Sequence, residues 1–115
     1  MKKNTKKEDE IVVNIFGYLI NKTRLNNGIS QECLARICNV STSTLSAIEN
    51  CKKLFKITTV IKVLMGLQSI NIDINNLIIE FKDIYKNPDK YNQLPSCPRK
   101  RIYDIKLSIW LYWYA

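Results

Sequence analysis

Apolar side chains recur at helical spacing along the first part of the chain. Val12, Phe16 and Ile20 fall at i, i+4 and i+8, and Val13 and Leu19 widen the stripe. A helix is therefore expected from Glu8 to Asn26. Asn26, Asn27 and Gly28 should end it, because Gly28 can take the positive φ of a C-terminal cap. Ser30 is a good N-cap for a second helix, its hydroxyl accepting from a backbone N–H left over in the first turn. That helix carries Leu34, Ala35 and Cys38 on one side and stops at Asn39–Val40–Ser41. Ser41 caps a third, with Leu45 and Ile48 at i and i+3. A fourth is expected from about Thr58 to Leu67, with Val60, Ile61, Leu64 and Leu67 inward. A fifth runs from about Ile74 to Tyr85, with Ile74, Leu77, Ile78 and Phe81 inward.

After Lys86 the pattern changes. The stretch "NPDKYNQLPSCP" holds all three prolines of the chain and reads as a linker, 86–100. Residues 101–115 then alternate, with Tyr103, Ile105, Leu107, Ile109, Leu111 and Trp113 on one face, which is a strand pattern. Such a tail cannot stay exposed in water. Pairing with its twin across a two-fold axis is the favoured reading. A resting place on a membrane surface and a site for a protein partner are the others.

The segment 31–50 is the most constrained. Two short helices joined by three residues must cross steeply, so a small residue is needed where they meet, and Ala35 is there. The turn favours a residue that tolerates a left-handed backbone, and Asn39 does so. Val40 pins the turn to the core. Once Leu45 and Ile48 face inward, helical spacing puts Thr42, Ser43, Ser46, Ala47 and Asn50 on the opposite face. That face is small, polar and uncharged, where a merely solvated helix would more often carry lysine and glutamate. A neutral face of this size fits the major groove of B-DNA. There Ser and Thr can donate to or accept from base edges, and methyl groups can touch thymine.

Charge strengthens this reading. The chain of 115 residues carries a formal net charge of +8 without a histidine, which favours a polyanionic partner. The basic residues cluster in "MKKNTKK" at the head, expected to be a disordered segment over 1–7 or else an arm that tracks the DNA backbone, at Lys52, Lys53 and Lys56, and in "PRKR" from Pro98. Cysteines at 33, 38, 51 and 97 form no C-x-x-C pair, and with no histidine a zinc site is not expected. They read as reduced thiols of a cytoplasmic protein. No stretch has the roughly 18 apolar residues of a membrane span. No residue set supports an enzyme: there is no Gly-rich phosphate loop and no nucleophile elbow. No cofactor is implied.

The run "GISQECLARICNVSTSTLSAIENCKK" resembles the helix-turn-helix of the lambda-repressor-like, or XRE, family. Its Ser-Gln opening is Ser30–Gln31, its Leu-Ala pair is Leu34–Ala35, and its Gly-Val turn is Asn39–Val40. Its Ser-x-Ile-Glu-x-Gly-Lys run is Ser46 to Lys52. The likeness extends from about Phe16 to Leu77. It implies an all-α fold, a five-helix bundle over 8–85, here followed by a short β-like or extended C-terminal tail. The recognition helix would be 41–50 within the unit 31–50. The resemblance implies that Thr42, Ser43, Ser46 and Ala47 face bases. It also implies that Gln31, Asn50, Lys52 and Lys53 contact phosphates, and that Arg24 and Glu49 form an internal salt bridge. Asn39 and Cys51 stand where the family has glycine. If position 51 still needs a positive φ, cysteine there is strained. The function implied is that of a sequence-specific transcriptional regulator, a repressor that binds double-stranded DNA as a homodimer. The alternative is an antitoxin-like or adaptor module whose tail, 101–115, binds a protein partner.

Overall fold

A computed structural model of the chain describes residues 2–51 and 55–94, with the backbone alone over 2–7. It is all-α, with six helices and no strand among the described residues. These are α1 (Lys2–Asn26), α2 (Gln31–Cys38), α3 (Thr42–Glu49), α4 (Ile57–Ser69), α5 (Ile74–Lys86) and α6 (Pro88–Gln93). The tail 101–115 and its expected strand lie outside the described residues.

Local chemistry sets the boundaries. Ser30 Oγ accepts from the Cys33 N–H at 3.1 Å, and Ser41 Oγ accepts from the Thr44 N–H at 3.0 Å. Both residues are extended, as N-caps require. α1, α2 and α4 end alike. The Ile29 N–H donates to Arg24 O, the Val40 N–H to Ala35 O and the Ile72 N–H to Leu67 O. Each such bond spans a residue with φ near +60°, namely Gly28, Asn39 and Asn71, which is the Schellman closure.

Two elements differ from the sequence-based expectation. α1 begins at Lys2, not Glu8, because the lysine-rich head contains no glycine or proline and lysine is a good helix former. The stretch after Lys86 is not a plain linker. Asn87 Oδ1 accepts from the Asp89 and Lys90 N–H groups, and Pro88 takes the first helical position. Asparagine as N-cap followed by proline at N1 starts a helix as readily as it marks a turn. α6 packs on α5, and Asn14 Nδ2 donates to Tyr91 Oη at 2.8 Å, tying α6 to α1.

The core lies between α1 and the two helices that cover it, α3 and α5, with α2 held against α3 and α4. Ile15, Leu19, Ile20, Leu34, Leu45, Ile48, Val63 and Leu67 are all but fully buried. Coverage on two sides widens the apolar arc of α1, so Ile15 is enclosed, while Val12 remains 37% exposed. α4 faces differently from the expected register: Val63, Gly66 and Leu67 point inward, Val60 and Leu64 are half-buried and Ile61 is exposed. Gly66 decides this. A Cβ there would lie 2.4 Å from Cys38 Sγ, so α4 meets α2 where α4 has no side chain. Burial pushes the Cys38 thiol pKa up, which suits a small apolar filler rather than a reactive group. On α5, Leu77 and Ile84 are buried, Ile74 and Phe81 are half-buried, and Ile78 is exposed. Lys22 Nζ meets Glu80 Oε1 at 2.5 Å between α1 and α5, and that hydrogen bond raises the lysine pKa.

Candidate nucleic-acid interface

α3 is anchored on one side by Leu45, Ile48 and Glu49. The backbone of α1 approaches it closely at Gly17, where a Cβ would sit 2.3 Å from the Ile48 carbonyl oxygen. That contact fixes the depth of α3 in the bundle.

Glu49 is 1% exposed and is the centre of a polar cluster. Arg24 Nε donates to its Oε2 at 2.8 Å and an Arg24 terminal nitrogen to its Oε1 at 3.0 Å. Asn21 Nδ2 donates to Oε1 at 2.7 Å, and Gln31 Nε2 reaches the same oxygen at 3.2 Å. The other Arg24 terminal nitrogen holds the Ile29 carbonyl at 2.9 Å. A buried carboxylate is tolerated only when paired and hydrogen-bonded. Here four side chains from α1, α2 and α3 meet, so the cluster sets the angle between α2 and α3. Gln31 does this with one amide hydrogen.

The opposite face of α3 carries Thr42 and Ser43, which are exposed, and Ser46, Ala47 and Asn50, which are partly covered. At its N-terminus the Ser41 hydroxyl lies 2.7 Å from Thr44 Oγ1 and 3.2 Å from Ser43 Oγ. Three hydroxyls are thus linked, and Ser43 is oriented by the cap. At its C-terminus Asn50 Nδ2 donates to the Ser46 carbonyl at 2.7 Å and to Ser46 Oγ at 3.1 Å. Asn50 is followed by Cys51 at φ +54°, a left-handed conformation that costs a non-glycine residue about 1–2 kcal/mol. Lys52 and Lys53 lie outside the described residues. Lys56 is exposed at the start of α4.

The Asn21 link, the hydroxyl cluster and the Asn50–Ser46 bonds have no signature in the residue pattern. Gly17 and Gly66 do: each is a glycine inside a helical run, a mark of close backbone approach. Elsewhere, a surface cleft of about 400 Å³ is lined by Glu10, Ile11, Tyr85, Pro88, Tyr91 and Asn92 and shares no residue with α3. No helix of the described residues is long and apolar enough to cross a membrane.

Two short helices locked at a fixed angle, the second with a small uncharged outer face, define a helix-turn-helix DNA-binding protein. The helix-turn-helix family model matches residues 20–74. That segment is a helix-turn-helix of the XRE, or lambda-repressor-like, type, and it supports a DNA-binding transcription regulator in general. No curated protein and no solved structure gave a significant match.

Proposed function

We propose that the protein is a sequence-specific repressor that lays α3 in the major groove of double-stranded DNA. The observation that carries this reading is the contrast across α3: one side is locked to the core through Glu49 and Gly17, and the other is free of charge and bulk. Thr42, Ser43, Ser46 and Ala47 would touch base edges. Gln31, Lys52 and Lys53 would hold phosphates, with Gln31 donating its second amide hydrogen while it braces Glu49. One short helix reads only a few base pairs, which favours a homodimer on a pseudo-palindromic site. The alternating aromatic sequence 101–115 is the segment best suited to join the two copies.

Fluorescence anisotropy against a mixed duplex pool, titrated from low to near-physiological salt, tests the phosphate part of this reading. Log affinity should fall linearly with log salt, and Lys52→Ala should weaken binding to all sequences alike and make the slope shallower. A slope unchanged by Lys52→Ala would remove that lysine from the phosphate contacts. Deleting residues 101–115 should lower the apparent mass to that of a monomer. If the deletion instead abolishes a complex with another protein and leaves DNA binding intact, the tail is a partner site, as in the adaptor reading.

A further inference from the structure

We infer that Asn50 is a positioning residue for base recognition and not a phosphate contact: it biases Ser46 toward donating a hydrogen bond into the groove. The inference rests on the reading of α3 as the base-facing helix. A backbone carbonyl can only accept, so the Ser46 carbonyl, 2.7 Å away, requires the Asn50 amide nitrogen and not its oxygen. The same nitrogen lies 3.1 Å from Ser46 Oγ. An amide nitrogen has two hydrogens, and both are taken up by one residue. What Asn50 can offer outward from its side chain is a carbonyl oxygen, which a phosphate oxygen does not attract.

The consequence for Ser46 is directional. A free serine hydroxyl rotates and serves as donor or acceptor as the neighbour demands. Here one lone pair of Oγ accepts from Asn50, which turns the hydroxyl hydrogen away from Asn50 and biases the group toward donating. A serine inside a helix often returns that hydrogen to the carbonyl four residues earlier. Among the described residues Ser46 makes no such bond, and Asn50 is the one hydrogen-bond partner of its hydroxyl. The hydrogen is therefore free to donate on the outer face of α3. As a donor in the major groove it suits purine N7, guanine O6 or thymine O4. A side chain type with little intrinsic base preference thus acquires one from its neighbour.

The test is selection of bound duplexes from a randomised pool by the full chain, run on wild type, Asn50→Ala, Ser46→Ala and the double variant, each checked for folding by thermal melt. The wild type should enrich an acceptor-bearing base at one position. Both single variants should relax that position by about fivefold, the size of one neutral hydrogen bond, and leave the other positions sharp. The double variant should be no more relaxed than Ser46→Ala. Uniform weakening across all sequences by Asn50→Ala would restore it as a phosphate contact and overturn the inference. So would a preference that survives in Ser46→Ala, the deciding variant if Asn50→Ala does not fold. A wild type that selects no sequence at all would instead overturn the reading of α3 itself.

Discussion

Leu45, Ile48 and Glu49 on the inner side of α3 are at most 1% exposed, whereas Thr42 and Ser43 on its outer side are open to solvent. The two sides are built by different means. The inner side combines close apolar packing, a glycine-mediated contact with α1 and a buried carboxylate held by Arg24, Asn21 and Gln31. The outer side has no charge, and its hydroxyls are oriented by short-range partners, Ser41 for Ser43 and Asn50 for Ser46. The difference teaches a division of labour. Position and angle come from inside and are expensive to disturb. The residues of the outer side can be changed with little cost to the fold.

The sharpest way to break this contrast is Arg24→Ala. It removes the guanidinium that holds the buried Glu49 carboxylate and should cost about 3–5 kcal/mol in chemical denaturation. Leu45→Ala empties a fully enclosed site and should cost about 2–5 kcal/mol, read the same way. Gly17→Ala and Gly28→Ala are chemically one substitution with two causes. At Gly17 the new methyl meets the Ile48 carbonyl, α1 and α3 must separate, and a loss of about 2–3 kcal/mol is expected. At Gly28 nothing lies within 4 Å, so only the positive φ is penalised, and the melting experiment should show about 1 kcal/mol. The smallest effect on stability belongs to the outer side: Thr42→Ala should shift unfolding by less than about 0.5 kcal/mol.

Legibility in the sequence followed the same division. The capped ends were readable because Ser30, Ser41 and Gly28 act within a few residues of themselves. The inner side of α3 was readable because Leu45 and Ile48 leave one choice of face. α4 was not, since Val60, Ile61, Val63, Leu64, Met65 and Leu67 make it apolar nearly all round. The contact of Gly66 with Cys38 selects its inward side, and that contact joins residues distant in sequence. The Pro88 region was ambiguous because asparagine and proline serve turns and helix starts alike. At the site, the residue types of the outer face were open to view. The orientation of their hydroxyls was not, because it depends on distances of about 3 Å between side chains.

The most direct test of the account is the affinity of Thr42→Ala/Ser43→Ala for a selected duplex, measured beside its affinity for random duplex and its melting temperature. The account predicts that the specific-to-random ratio collapses while random-duplex affinity and melting temperature stay near those of the wild type. A ratio equal to that of the wild type would contradict it, because α3 would then not be the helix that reads the bases.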